Sequence, residues 1–210
     1  MSDLQQLYTA ILEGDAPTAK SVVNEALGAG ADPQELLTKY MIPAMDEVGR
    51  RFEANEYFVP ELLIAARAMK GALEIIKPQL KESGVQPAGK VVIGTVRGDL
   101  HDIGKNLVSA MLEGGGFEVI DLGVDVSPEK FVQTAKETGA KVIAMSALLT
   151  TTMPGMKTTV EALNEAGVRG DIKVMIGGAP VTQRYADEIG ADGFSDNASG
   201  AVRVARNLVA

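Results

Sequence analysis

The sequence predicts a helical bundle followed by an α/β domain with a flavodoxin-like (Rossmann-type) sheet of five parallel strands. Two observations predict this architecture. Residues 1–82 carry apolar side chains at helical spacing, with turn-forming residues between the runs. From residue 90 to residue 210, short apolar runs alternate with helical segments, which is the pattern of a parallel sheet covered by helices.

The first domain, residues 1–82, is predicted to be a bundle of four helices. Apolar spacing places these helices at residues 4–12, 16–27, 33–52 and 61–81. Asp15 and Asp32 are typical N-cap residues. Pro43 is expected to kink the third helix because it lacks a backbone donor. Four helices joined by short loops form a small bundle, a fold that by itself names no function.

Residues 83–89 are predicted to link the two domains. This segment, Ser-Gly-Val-Gln-Pro-Ala-Gly, is rich in turn-forming residues and carries little apolar surface. We expect it to act as a hinge.

The second domain, residues 90–210, is predicted to contain five strands. They are placed at residues 91–96, 118–122, 141–146, 173–176 and 193–194. Helices are placed at residues 103–112, 127–138, 154–166, 182–189 and 198–209. In a doubly wound sheet, ligands bind outside the carboxyl ends of the strands, so the segments after the first, third and fourth strands are the candidate site.

The composition excludes several classes of function. The formal net charge of −8 argues against a nucleic-acid surface, which needs a basic patch. The absence of cysteine excludes disulfides and thiolate metal sites. No apolar run is long enough to span a bilayer and no leader is evident, so we expect a cytoplasmic protein without a membrane partner.

The segment Gly98-Asp-Leu-His-Asp-Ile-Gly104 contains the only histidine of the chain. It joins the first predicted strand to the following helix. Asp99 can accept the Nδ1 proton of His101, which leaves Nε2 free to bind a metal. Gly98 and Gly104 let the backbone approach a bulky ligand. The alternative interpretation is a histidine at the end of a strand with no function.

Three motifs follow one another in this domain: Asp99-x-His101-x-x-Gly104, then Ser146-x-Leu148, then Gly177-Gly178. Their order and spacing resemble the signature of cobalamin-binding domains that hold the corrinoid with its own base displaced. The resemblance implies that His101 is the metal ligand, on the lower face of cobalt. It also implies that the cofactor is methylcobalamin or a related corrinoid. The corrinoid contacts that it implies beside the motif are Gly98, Leu100, Asp102 and Ile103.

The same resemblance implies a slot for the displaced nucleotide tail. Ser146 would bond the displaced base, Leu148 would form an apolar wall, and Gly177 and Gly178 would leave space. Further contacts implied for the tail and ring are Thr150 and the stretch Asn197-Ala198.

A hydroxyl after the third strand resembles the last member of a relay. In the cobalamin region of methionine synthase, a serine at the place of Thr152 completes an aspartate–histidine–hydroxyl relay. We therefore expect Asp99, His101 and Thr152 to act together. The alternative role for Thr150 and Thr152 is capping of the helix that begins at Pro154.

The joint between the third and fourth helices resembles the cap of methyl-carrying corrinoid proteins, in which two apolar residues shield the upper face of cobalt. Phe52 matches the phenylalanine of that cap, and Val59 stands where the family has leucine. The alternative is that both are ordinary core residues.

The resemblance implies a methyl carrier that is not catalytic alone. Its expected partners are a substrate-specific methyltransferase of TIM-barrel type, a second methyltransferase with a folate or thiol acceptor, and a corrinoid reductive activator. Three alternatives remain open. They are a subunit of an adenosylcobalamin-dependent isomerase, a cobalamin-based light sensor, and a flavodoxin-like domain without cobalamin.

Overall fold

The computed structural model describes residues 4–84 and 86–210. The chain divides into two compact units, residues 1–87 with 113–116 and residues 88–112 with 117–210. Residues 1–3 of the predicted first domain lie outside the described residues, as does Val85 of the predicted linker. Within the described part of the chain, each helix is too short or too polar to cross a membrane.

The first unit is helical, as predicted. Its elements are α1 (Leu4–Glu13), α2 (Ala16–Gly28), α3 (Pro33–Glu35), a π-helical segment (Leu36–Met41), α4 (Ile42–Glu53) and α5 (Val59–Glu82). The side chain of Asp15 accepts a hydrogen bond from the Thr18 N–H at 3.1 Å, and that of Asp32 accepts one from the Gln34 N–H at 3.0 Å. Both predicted N-caps are therefore present.

The irregularity expected at Pro43 takes the form of a wider, π-helical turn just before the proline. The Ile42 N–H bonds the carbonyl of Leu37, five residues earlier. Pro43 has no N–H, and its ring crowds the carbonyl four residues before it, so the regular ladder cannot continue. The predicted third helix is thus present as three consecutive helical segments without a gap: α3, the π-helical segment and α4.

The second unit contains a sheet of five parallel strands in the order β2-β1-β3-β4-β5, which confirms the predicted fold. The strands are β1 (Lys90–Thr95), β2 (Glu118–Asp121), β3 (Val142–Ser146), β4 (Lys173–Gly177) and β5 (Gly193–Phe194). The helices of this part of the chain are α6 (Ile103–Gly114), α7 (Pro128–Thr138), α8 (Pro154–Glu165), α9 (Gln183–Ile189) and α10 (Ala198–Val209).

The strand order places the candidate site at the carboxyl edge. Runs of consecutive buried residues in β1, β3 and β4 show that both faces of the sheet are covered, since neighbouring side chains point to opposite faces. The register aligns Thr95, Ser146 and Gly177 in one row at the ends of these strands. Because β1 lies between β2 and β3, the strand order reverses at β1, and doubly wound sheets bind ligands between the loops that follow the two strands at such a point, here β1 and β3.

Candidate functional site

His101 lies in the loop between β1 and α6, at the carboxyl edge of the sheet. Its side chain is 51% exposed, and its Nδ1 lies 2.7 Å from Asp99 Oδ1. Among the described residues, its Nε2 makes no hydrogen bond. One ring nitrogen is thus held by a carboxylate while the other has no protein partner among the described residues, which is the arrangement of a metal-binding imidazole.

Asp99 is buried and uses both carboxylate oxygens. Oδ1 also accepts the His101 N–H at 3.1 Å, and Oδ2 accepts the Leu148 N–H at 2.8 Å. Thr152 Oγ1 donates to the same Oδ2 at 2.6 Å. Burial alone would raise the pKa of Asp99, but the bonds from Thr152, the Leu148 N–H and His101 hold the pKa of this carboxyl well below its usual range. The residue beside the imidazole is therefore a stable anion.

The Thr152 hydroxyl contacts Asp99 and does not cap α8. The N-cap residue of that helix is Met153, which makes no side-chain capping bond. Within the described part of the chain, the one other hydrogen-bond partner of this hydroxyl is the carbonyl of Leu149, at 2.9 Å. The structure therefore brings Asp99, His101 and Thr152 together in the predicted order, although the relay itself stays a prediction. Thr150 is exposed in the same loop.

Two residues that sequence reasoning missed support the histidine loop. Thr95, the buried last residue of β1, donates its hydroxyl proton to the His101 carbonyl at 2.8 Å. Asp125, in the loop between β2 and α7, accepts the Gly98 N–H on Oδ1 at 2.7 Å. The sequence offered one signal for each residue. Thr95 is a polar residue near the end of an apolar strand, and Asp125 is an aspartate within the turn Gly-Val-Asp-Val.

The backbone conformation at position 98 requires a glycine, although there is enough space for a larger side chain to begin there. Its φ is +81°, in the left-handed region that favours glycine. A Cβ at this position would meet only the Thr152 methyl group, at 3.9 Å. The left-handed turn redirects the chain from β1 toward Asp99 and His101.

The surroundings of His101 suit a large ring with apolar edges. Leu100 and Ile103 are 72% and 82% exposed, although such side chains normally avoid water. Leu148 and Leu149, in the facing loop after β3, are 42% and 44% exposed. A Cβ at Gly104 would meet nothing within 4 Å, so the start of α6 is open. A free imidazole nitrogen amid exposed aliphatic side chains fits a corrinoid.

The predicted residues at the ends of β3 and β4 lie at the same edge. The hydroxyl of Ser146 makes no hydrogen bond within residues 4–84 and 86–210, and is available to a ligand. Gly178 differs from the expectation, because the space it leaves is taken by protein: a Cβ there would lie 1.9 Å from the Ala147 carbonyl oxygen.

Ala198 is the buried first residue of α10. Asp102 is exposed and accepts a bond from the Asn106 amide at 3.1 Å.

The two predicted cap residues belong to the first unit. Phe52 lies half-buried in the last turn of α4. Val59 is the first residue of α5 and is 42% exposed, which a core residue would not be.

Comparison with known proteins identifies the family. A sequence model of the B12 binding domain matches residues 89–203, and a second model of a B12 binding domain matches residues 3–77. The chain belongs to the B12-binding family. Its cofactor is a corrinoid, which confirms the prediction and removes the flavodoxin-like domain without cobalamin from the alternatives.

Named relatives of this B12-binding protein align over nearly its whole length. It is 48% identical to trimethylamine corrinoid protein 1 of Methanosarcina mazei, over 92% of this chain and 90% of that protein. It is 46% identical to dimethylamine corrinoid protein 1 of Methanosarcina acetivorans, over 99% and 97% respectively. Among solved structures, a chain of the methanol:cobalamin methyltransferase complex of Methanosarcina barkeri superposes with a TM-score of 0.86 at 30% identity, covering 99% of this chain and 80% of that one.

Proposed function

We propose that this B12-binding protein carries a methyl group between two methyltransferases on a corrinoid whose lower ligand is His101. The observation that carries the proposal is the arrangement of the imidazole: Nδ1 lies 2.7 Å from a buried carboxylate, the side chain is half exposed, and Nε2 makes no hydrogen bond within the described residues. When bound, the corrinoid supplies the chemistry, since its cobalt accepts and releases the methyl group. The chain supplies binding, orientation and shielding.

Each residue of the site has a defined task in this proposal. Asp99 fixes the Nδ1–H tautomer and increases the basicity of Nε2. Thr152 and the Leu148 N–H hold the second oxygen of that carboxylate, so that it cannot rotate away from the ring. Ser146, at the end of the adjacent strand, offers a free hydroxyl to the displaced base. The exposed aliphatic side chains cover the corrin edge, which excludes water.

The expected partners are a methyltransferase that loads the methyl group and one that removes it. The superposition on a chain of a methanol:cobalamin methyltransferase complex supports a methyltransferase partner. Relatives named for trimethylamine and for dimethylamine have nearly equal identity to this chain, so similarity favours neither amine as the donor. A reductive activator and a folate or thiol acceptor remain part of the proposal.

The helical bundle favours a methyl carrier over an isomerase subunit. The amine-named relatives align with the bundle as well as with the sheet. The resemblance to cobalamin-binding domains implies, in contrast, that those of isomerases usually lack such a helical cap. We propose that the bundle is the cap, with Phe52 and Val59 shielding the upper face. Residues 83–89 would be the hinge that lets a partner reach the cobalt.

The test is an absorption spectrum after reconstitution with hydroxocobalamin. Wild type should show a corrinoid with histidine in place of its benzimidazole, and His101→Ala should lose that spectrum. Free imidazole added to His101→Ala should restore it in part. Identical spectra of wild type and variant would refute histidine ligation. A reconstituted protein that neither accepts nor donates labelled methyl groups, whether with methyltransferases of the amine systems or with those of the methanol system, would refute the carrier role.

A further inference from the structure

We propose that Asp125 is a positioning residue that fixes the orientation of His101 by holding the turn at Gly98 and Asp99. The inference deepens the proposed function, because it concerns how His101 becomes competent as a ligand. Asp125 makes no hydrogen bond to the imidazole or to any other side chain of the Asp-x-His-x-x-Gly motif. Its partners are backbone atoms of Gly98 and Asp99. It acts through the backbone.

The contacts of Asp125 are paired across two loops. Its Oδ1 accepts the Gly98 N–H at 2.7 Å, and its own N–H donates to the Asp99 carbonyl at 3.0 Å. The two bonds enclose the peptide between Gly98 and Asp99. Since the Gly98 donor meets a carboxylate, this bond is the stronger, charge-assisted kind. It stabilises the left-handed turn that Gly98 makes.

Asp125 is itself held in place by the edge of β1. The Leu122 N–H bonds the Ile93 carbonyl at 2.8 Å, and the Val126 N–H bonds the Thr95 carbonyl at 2.9 Å. The segment from Leu122 to Val126 therefore runs beside the end of the strand as a fixed support. Asp125 has a φ of +54°, which is unusual for a residue with a side chain. Such strained conformations persist where the surroundings impose them, and they concentrate at functional sites.

Asp99 is consequently hydrogen-bonded to residues of two different loops. Its carboxylate is held from the β3–α8 loop by Leu148 and Thr152, and its carbonyl is held from the β2–α7 loop by Asp125. Without the Asp125 carboxylate, the Gly98 N–H loses its acceptor and the turn loosens. Asp99 Oδ2 stays bonded to Leu148 and Thr152, but the backbone that carries His101 can then shift relative to Asp99 Oδ1. The imidazole gains freedom of tautomer and orientation, and part of its pre-organisation as a ligand is lost.

Two substitutions separate the carboxylate from the backbone strain. Asp125→Gly removes the acceptor but adopts the positive φ without steric strain, so the left-handed conformation at residue 125 should be kept. Asp125→Asn keeps an acceptor oxygen and a residue type that tolerates this conformation. The glycine variant therefore lacks the acceptor for the Gly98 N–H, and the asparagine variant keeps it. If Asp125 had only a structural role, the two variants would not differ in the tautomer and orientation of the imidazole.

The first measurement is imidazole ¹⁵N NMR of the cofactor-free protein, at a pH at which the ring is neutral. The chain has one histidine, so its two ring signals need no assignment against others. Wild type and Asp125→Asn should show a single Nδ1–H tautomer. Asp125→Gly should show signals averaged toward a mixture. Identical signals in all three proteins, with matching circular dichroism, would overturn the proposal.

The second measurement is the histidine-ligated fraction on titration with hydroxocobalamin. Asp125→Gly should need about tenfold more corrinoid for half-ligation, the lower range for loss of a supporting contact behind a ligand, whereas Asp125→Asn should stay near wild type. If Asp125→Gly fails to fold, Asp125→Ala replaces it, since alanine also removes the carboxylate but leaves the unfolded chain less flexible than glycine does. Wild-type binding without a His101-dependent spectrum would refute the proposed function, while the NMR comparison would still decide the role of Asp125.

Discussion

Asp99 Oδ1 lies 2.7 Å from His101 Nδ1, while Oδ2 of the same carboxylate receives two donors from the loop after β3. The two oxygens therefore have different tasks, because one faces the imidazole and the other anchors the side chain to a neighbouring strand end. The anchored carboxylate remains ionised and gives the ring one preferred tautomer. This division of tasks makes the site sensitive to changes that preserve the size of Asp99.

Asp99→Asn should weaken histidine ligation without removing the corrinoid pocket. An amide group can present only one acceptor oxygen, so either the imidazole side or the Leu148 and Thr152 side must face an NH₂ group. We expect about 10-fold to 100-fold weaker formation of the histidine-bound spectrum in a hydroxocobalamin titration. Asp171→Asn, an exposed substitution in the same unit, is the matched control. A titration of Asp99→Asn that overlays wild type would show that the charge is not needed.

Thr152→Val should destabilise the α/β domain even without corrinoid. Valine keeps the shape of threonine but removes the hydroxyl that donates to Asp99 Oδ2 at 2.6 Å, in a buried environment. Loss of a hydrogen bond to a charged group costs about 1.5–3 kcal/mol of unfolding free energy, measurable by urea denaturation at neutral pH. Thr152→Ser keeps the hydroxyl and should lose much less. Equal losses for valine and serine would assign the effect to packing.

The sequence was sufficient to predict the strands and helices of the fold and one contact of the site, the one between Asp99 and His101. Apolar runs of the right length predicted the strands, and a carboxylate two residues before the only histidine predicted the contact between Asp99 and His101. Both are local patterns, in which the interacting groups are neighbours along the chain. Local patterns are readable because the strand-to-helix turn itself brings the groups together.

The remaining contacts depend on the packing of distant segments. Asp125 meets Gly98 from 27 residues away, and Thr152 meets Asp99 from 53 residues away. The resemblance to a known motif supplied Thr152, but no motif pointed to Asp125. Gly178 shows a second limit: its type indicated open space, whereas it permits contact with the backbone of Ala147. Residue type alone does not tell which neighbour fills the space of a missing side chain.

Gly178→Ala should be among the more damaging small substitutions at this edge. Its φ is +136°, and the added methyl group would overlap the Ala147 carbonyl. Backbone strain and overpacking together predict a loss of at least about 3 kcal/mol of unfolding free energy. Gly190→Ala is the control, since Gly190 has a φ of +75° and open space around it, and should lose only about 1–2 kcal/mol. Urea denaturation of both variants tests the difference, and similar losses would mean that Ala147 yields readily.

The stability of the helical bundle should depend on pH through Glu47. Hydrogen bonds from Arg50 and Arg51 lower the pKa of this carboxyl from 4.5 to about 2. A lowered pKa in the folded state means that the contribution of Glu47 is complete above pH 4.5, the value for the unfolded chain, and is lost as the pH falls toward 2. The arginines gain nothing comparable from a neutral side chain.

Glu47→Gln tests this dependence directly. The unfolding free energies of wild type and Glu47→Gln should differ by a constant amount above about pH 5.5 and converge as the pH falls, because protonated Glu47 resembles glutamine. Glu74→Gln, at an exposed position of α5, is the matched control. A difference between wild type and Glu47→Gln that stays constant down to pH 2.5 would mean that packing of the side chain, and not its charge, stabilises α4.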